Sequence, residues 1–372
     1  ILGIMLATGF LSAWVSNTAT AAMMLPIAIA VMKVVRKEEG TADDRRREHN
    51  FDVCILLAIA YGASLGGVLT LIGTPPNGIL VRFVEQTYNE QVNFFAWLKI
   101  SVPVIAVMTV VTYLLLVKVL FRDMPAAIPG GREWIQEELT KLGRLSRGEW
   151  IVLWVFLAAA LAWCFGPLLR SWEIGGTTPL KPLTDSVIAM TAGILLFIIP
   201  VDYKKGVHAL DWASASGAIA WDVLLLFGGG LSMAAAIQST GAADVVGACA
   251  LSLSGLPEWG ITAGVTFIAT MASEVTSNTA LAATMMPLVS AAASSLSLDP
   301  EGLLIAATIG TSLAFMMPVG TPPNAMVFGT GKIKIQEMVR AGFWLNLIAI
   351  VVITAACLII CPGVIGTLTA PF

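Results

Sequence analysis

A polar phrase stands twice in an otherwise apolar chain. Ser12-Ala-Trp-Val-Ser16-Asn17-Thr18-Ala-Thr-Ala-Ala-Met-Met-Leu-Pro26 returns as Ser273-Glu-Val-Thr-Ser277-Asn278-Thr279-Ala-Leu-Ala-Ala-Thr-Met-Met-Pro287, with nine of fifteen positions identical. Each copy is followed by Gly-Thr-Pro-Pro-Asn, at 73–77 and at 320–324. Of the 372 residues, 57% are hydrophobic and only 12% charged, where a soluble domain carries about a quarter charged residues. Several runs approach about 20 apolar residues, the length that crosses roughly 30 Å of hydrocarbon. There every backbone polar group has to find a partner inside the protein, so a repeated helix breaker has to serve a purpose. The fold class expected is an all-α polytopic membrane protein. Strands of a membrane β-barrel would read as short alternating segments instead.

Full spans are expected at 53–81, 100–121, 149–169, 184–201, 220–250, 301–329 and 343–365. The first and the sixth should break at Gly-Thr-Pro-Pro-Asn, because Pro75, Pro76, Pro322 and Pro323 lack backbone donors. The two Ser-Asn-Thr segments, 1–32 and 257–297, read as re-entrant hairpins that return to the side they came from. Five full spans separate them, and an odd number turns the second hairpin to face the first. The basic residues test this topology. Connections 33–50, 118–148, 202–219 and 330–342 fall on one side and hold six, six, two and three of the 21 Lys and Arg. Connections 82–99 and 170–183 fall on the other and hold two each. Such a bias puts residues 33–50 in the cytoplasm and the C-terminus outside it. Inverted repeats with helices broken at matching places are the mark of a secondary transporter. The second repeat has three spans (149–250) ahead of its hairpin and the first has none. By symmetry about three more, roughly 100 residues, are expected before Ile1, which opens within an apolar run.

A re-entrant tip offers two kinds of chemistry. The half-helix that starts after Ser-Asn-Thr points free N–H groups and a positive dipole end into the site, a cradle for an anion. The half-helix that ends there leaves free carbonyls, which with Ser hydroxyl and Asn amide oxygens form a shell for a hard cation such as Na⁺. Carbonyls at the second break, notably at Gly73 and Gly320, would add to that shell. Neither motif pair contains Lys or Arg. An anion would therefore be neutralised by helix dipoles and by cations bound with it, which is a physical reason to couple the two. Glu274 lies at membrane depth in this topology, but its counterpart is Ala13, so local structural pairing is the favoured reading.

Other chemistries find little support. Gly62-Ala-Ser64-Leu-Gly66 matches the hydrolase nucleophile pattern, yet no His is placed to serve it, and close packing by small residues explains it. His49 and His208 lie in polar connections without metal-ligand spacing, and no Walker A phrase occurs. The five cysteines (Cys54, Cys164, Cys249, Cys357, Cys361) lie in or beside apolar runs and read as small buried hydrophobes. An anion channel and an intramembrane hydrolase are the alternatives from other classes.

With paired Ser-Asn-Thr and paired Thr-Pro-Pro-Asn in this order, the chain resembles the divalent anion:sodium symporters, the INDY-type di- and tricarboxylate transporters, along essentially its whole length. The resemblance implies an elevator-type transporter, not an enzyme, that carries a small carboxylate (succinate, malate, fumarate or citrate) with two or more Na⁺. It implies a first Na⁺ site at Ser12, Ser16, Asn17 and Gly73, and a second at Ser273, Thr276, Ser277, Asn278 and Gly320. Substrate would meet Asn17, Thr18, Asn278, Thr279 and Thr321. Residues 1–99 and 220–342 would form the two transport portions. Residues 100–219 would be mainly scaffold and connecting helices, and 343–372 a C-terminal scaffold helix. A homodimer in the bacterial cytoplasmic membrane, with lipid around it and no nucleic-acid partner, is expected. Sulfate uptake and Na⁺-independent dicarboxylate exchange remain the alternatives within transporters.

Overall fold

The backbone is helical along the apolar runs and lets go at the repeated phrases. The computed structural model describes residues 1–36, 41–125, 136, 140, 143–173, 177–218, 240–252 and 254–361, with a scatter of positions between 221 and 239. Helix α1 (Leu2–Ser12) gives way to α2 (Asn17–Val35), whose first turn is capped by Ser16. Helix α3 (Ala42–Leu69) breaks before α4 (Pro75–Tyr88), where the two prolines occupy first-turn positions that need no N–H. Helix α5 (Phe94–Leu114) runs on as a π-helical turn, Leu115–Leu120. Then follow α6 (Arg147–Cys164), the short α7 (Gly166–Arg170), α8 (Asp185–Ile198), strands β1 (Pro200–Asp202) and β2 (Val207–His208), α9 (Trp212–Ala218) and α10 (Ala242–Leu251). The second repeated phrase sets α11 (Glu258–Ser273), α12 (Asn278–Ser295), α13 (Pro300–Ser312) and α14 (Pro322–Gly329), and α15 (Ile335–Ile359) closes the described chain.

The chain divides into two compact units. One comprises Ile1–Val92, Trp97–Gly131 and Val223–Phe372. Its central helix is α3, whose apolar stretch is 94% buried. Within this unit α1 and α2 pack on α3, and α11 and α12 pack in the same way on α13. The other unit comprises Asn93–Ala96 and Arg132–Asp222. Here α6 packs against α8, and Asp185 at the start of α8 accepts from Phe94 N and Arg170 Nη1, each at 3.2 Å.

Among the described residues, five helices are long and apolar enough to cross a membrane: Asn17–Val35, Ala42–Leu69, Phe94–Leu120, Arg147–Cys164 and Ile335–Ile359. Apolar side chains such as Val110, Trp154 and Val351 are exposed, as suits a surface bathed in lipid. The protein is an all-α polytopic membrane protein, apart from the two short strands.

Several element limits differ from expectation. Helix α3 begins at Ala42 rather than near 53, because Thr41 and Asp44 form a capping box that makes the charged stretch helical. The span expected at 184–201 stops at Ile198, where Pro200 leads into β1. Helix α15 starts at Ile335, eight residues before the expected 343, with Glu337 Oε2 accepting from Lys334 N at 2.8 Å. Of the expected helix 220–250 only Ala242–Leu251 is a continuous described element; most of 220–239 lies outside the described residues.

Candidate functional site

The first Ser-Asn-Thr break is built on the helix that leads to the first Gly-Thr-Pro-Pro-Asn. Ser12 ends α1, fully buried, and its hydroxyl lies 2.8 Å from both Asn17 Oδ1 and Ala63 O, within reach of donating to either. Ser16 accepts from Ala19 N at 3.3 Å, leaving the first N–H groups of α2, those of Asn17 and Thr18, at an open helix end. Thr18 is exposed and Asn17 half-buried. Gly67 makes room for Asn17, since a Cβ there would lie 2.2 Å from Asn17 Oδ1. Gly73 is equally hemmed in: a Cβ would lie 2.6 Å from Gly67 O and 2.9 Å from Ser12 O. The carbonyls of Ser12 and Gly67 therefore crowd around Gly73, so three of the residues named for the first cation site meet: Ser12, Asn17 and Gly73.

The second break repeats the plan. Ser277 accepts from Ala280 N at 3.5 Å, at the limit of a hydrogen bond, and Asn278 and Thr279 open α12. Ser273 is fully buried and donates to Thr270 O at 2.8 Å; Thr276 donates to Ala272 O at 2.7 Å. Asn278 Oδ1 is a buried acceptor without a donor among the described residues. Thr321 caps α14 by accepting from Asn324 N at 3.2 Å. Gly320 lies beside Glu274, whose Oε2 would be 3.1 Å from a Cβ at that position.

The two Pro-Pro-Asn helices are anchored identically. Asn77 Nδ2 donates to Gly67 O at 3.3 Å and Thr70 O at 2.7 Å, while Asn324 Nδ2 donates to Ala314 O at 3.2 Å and Met317 O at 3.1 Å. In each repeat the Asn reaches back ten and seven residues to carbonyls freed by the break. Each leaves its own Oδ1 buried and undonated. The repeats also interlock. Helix α2 packs against α14 and α12 against α4, so each Ser-Asn-Thr helix lies along the other repeat's Pro-Pro-Asn helix. Tyr88 and Ser290 join α4 to α12 through hydroxyls 2.6 Å apart.

Glu274 is buried and fully engaged. Its Oε1 accepts from Phe315 N at 2.8 Å, Met316 N at 2.9 Å and Asn346 Nδ2 at 2.6 Å; its Oε2 accepts from Met317 N at 2.8 Å. Local structural pairing, the favoured reading of this residue, is what the geometry has. Ser64 is buried, and the glycines two residues to either side of it lie on the α3 face that α1 covers: Cβ atoms on Gly62 and Gly66 would lie 2.9 Å from Met5 O and 2.1 Å from Gly9 O. Small-residue packing thus accounts for the hydrolase-like phrase.

Sequence reasoning missed the anchoring role of Asn77 and Asn324, although their identical places in the two phrases were a signal for it. It also missed Gly67, Ala63, Tyr61 and Asn346, for which no local pattern exists.

Crossing helices with paired breaks define an integral membrane protein whose core is built around polar interruptions. A family profile described as the sodium:sulfate symporter transmembrane region matches residues 1–362. The Sodium-dependent dicarboxylate transporter SdcS of Staphylococcus saprophyticus is 37% identical over 368 residues, 98% of this chain and 70% of that protein. Proteins of the same name from Staphylococcus aureus strains MRSA252 and NCTC 8325 match at 37% over the same shares. The chain belongs to this family, the divalent anion:sodium symporters, and is a membrane transporter rather than an enzyme.

Proposed function

We propose that the protein is a secondary active transporter that brings a small di- or tricarboxylate, such as succinate, malate, fumarate or citrate, across the cytoplasmic membrane together with Na⁺. The observation that carries this reading is the paired build of the breaks: two open helix N-termini after Ser-Asn-Thr, the first beside the carbonyls that crowd Gly73, and two Gly-Thr-Pro-Pro-Asn breaks anchored alike by Asn77 and Asn324. Amide-rich helix ends suit carboxylates. Carbonyls, hydroxyls and undonated Asn oxygens suit Na⁺. The names of the relatives support both.

In this reading Ser12, Ser16, Asn17 and Gly73 hold one Na⁺, and Ser273, Thr276, Ser277, Asn278 and Gly320 hold another. Asn17, Thr18, Asn278, Thr279 and Thr321 meet the substrate. The two repeats are inverted, their Ser-Asn-Thr segments being re-entrant hairpins from opposite faces, with 33–50 cytoplasmic and the C-terminus outside. Residues 1–99 and 220–342 move as the transport portion, together with α15, which grips the second break through Asn346 and Gly342, against a scaffold drawn mainly from 100–219, in an elevator motion within a homodimer. If more than two Na⁺ accompany a dianion, transport is electrogenic, and the membrane potential contributes about 2.3 kcal/mol per charge per 100 mV. Sulfate is the second reading, favoured by the description of the matching family profile.

The test is uptake of labelled succinate into proteoliposomes containing the full-length protein, with Na⁺ or choline outside. Uptake that needs Na⁺ and that succinate, malate or citrate outcompetes is expected. Equal uptake in choline would sink Na⁺ coupling, and sulfate outcompeting succinate would sink the carboxylate assignment.

A further inference from the structure

Three consecutive peptides of the second break point their N–H groups at one side chain. Phe315, Met316 and Met317 donate to the Glu274 carboxylate rather than to carbonyls one turn back, and Asn346 Nδ2 adds a fourth donor from α15. The same stretch is gripped from two other sides. Tyr61 Oη donates to Phe315 O at 2.9 Å, with the two rings in edge contact. Gly342 brings α15 so close that a Cβ would lie 2.3 Å from the Phe315 carbonyl. The unwound segment is thus held in one shape, and its far end, Gly320, lies against Glu274 Oε2. Among the described residues no Lys or Arg pairs with this carboxylate, so its charge is answered by oriented amides alone.

We propose that Glu274 is a positioning residue for cation binding at the second break. It fixes the peptides of 315–317 by taking their N–H groups, and it sets a negative group against Gly320, beside the break that would hold the cation. The first break has Ala13 in this place, so the two cation sites differ in strength, the second being the tighter. This role rests on the reading of the breaks as Na⁺ sites.

The decisive measurement is a titration of the full-length protein with NaCl against choline chloride at constant ionic strength. Half-saturation is read from the Na⁺-dependent rise in melting temperature and from succinate uptake. Glu274→Gln puts an amide N–H where a backbone donor expects an acceptor. It is expected to raise half-saturating Na⁺ about tenfold, which corresponds to about 1.4 kcal/mol, with KM for succinate unchanged once Na⁺ saturates. Asn346→Ala, which removes one of the four donors, should raise it about threefold, by about 0.6 kcal/mol. A carboxylate that only stabilises the fold would lower the melting temperature in choline and leave half-saturation unmoved, and that result overturns the proposal. If Glu274→Gln does not fold, an unmoved half-saturation in Asn346→Ala overturns it equally. A wild-type protein indifferent to Na⁺ would instead overturn the cation reading underneath.

Discussion

In the first repeat the helix before the two prolines holds to Leu69 and resumes at Pro75; in the second it lets go at Ser312 and resumes only at Pro322. The sequences at the breaks are the same, Gly-Thr-Pro-Pro-Asn, yet the unwound stretches differ in length. The supports explain the difference. At the first break the Thr70 hydroxyl donates to Ala13 O, and the carbonyls of Val68 and Leu69 take Trp97 Nε1 at 2.8 Å and Ser101 Oγ at 2.6 Å. Side chains there cap carbonyls while the helix itself stays wound. At the second break the counterparts of Val68, Leu69 and Thr70 are Phe315, Met316 and Met317, and their N–H groups are drawn to Glu274. A carboxylate that offers several strong acceptor sites outcompetes the i−4 carbonyls, so the helix ends early. What the breaks share is the Asn anchor and the open Ser-Asn-Thr helix end. In the proposed function binding falls to the shared parts, while the parts that differ set the shape of each break.

Substitutions can break or sharpen this comparison. The largest effect is expected from Gly66→Ala, whose Cβ would meet Gly9 O at 2.1 Å, a backbone atom that cannot swing aside. A loss of about 3 kcal/mol or more is expected, read as a collapse of folded yield and melting temperature. At the second break the close approach is softer, since a Cβ on Gly310 would first meet Ala269 Cβ at 2.9 Å, and Gly310→Ala should cost about 1–2 kcal/mol. Equal costs would show that the two packings are equivalent after all. Next come Asn77→Ala and Asn324→Ala. Each frees two buried carbonyls, at a cost of about 2 kcal/mol, and the two should agree within about 0.5 kcal/mol when assayed by chemical or thermal denaturation. A clear inequality would mean that the shared anchor does different work in each repeat. Gly67→Ala separates binding from stability. Ala314 occupies the equivalent place in the second repeat, so Ala is tolerable to the fold there, but at 67 its Cβ would push Asn17 aside. Transport should fall at least about tenfold for a loss of about 1.4 kcal/mol in the site; wild-type uptake would show that Asn17 does not act from this position. The smallest effects on stability belong to Ser16→Ala and Ser277→Ala, each losing one helix cap worth about 1 kcal/mol. The melting temperatures of both should fall alike.

The repeated phrases made the breaks legible before any coordinates. Two prolines remove donors wherever they fall in a helix, and Ser before Asn-Thr is an N-cap signal that needs no tertiary context. The spans expected at 53–81, 100–121, 149–169 and 343–365 were legible through hydropathy, with limits that local chemistry moved: the Thr41–Asp44 box drew charged residues into α3, while Pro200 cut short the helix expected at 184–201. The supports were not legible. Glu274 meets Phe315 across 41 residues and Asn346 across 72, and no spacing rule links positions so far apart. The same holds for Gly66 and Gly67, which read as small-residue packing but whose partners, Gly9 and Asn17, depend on how α1 and α2 lie on α3. The repeat and the resemblance pick out the side chains proposed for the site; the contacts that hold them in place have no local signal.

The central claim is that the two Ser-Asn-Thr helix ends form halves of one substrate site. It is tested most directly by single-cysteine variants Thr18→Cys and Thr279→Cys of the full-length protein, labelled with a maleimide while succinate is titrated in Na⁺ or in choline. The account requires that succinate protect both positions, at the same half-effective concentration, and only with Na⁺ present. Protection of one position alone, or protection indifferent to Na⁺, would contradict it.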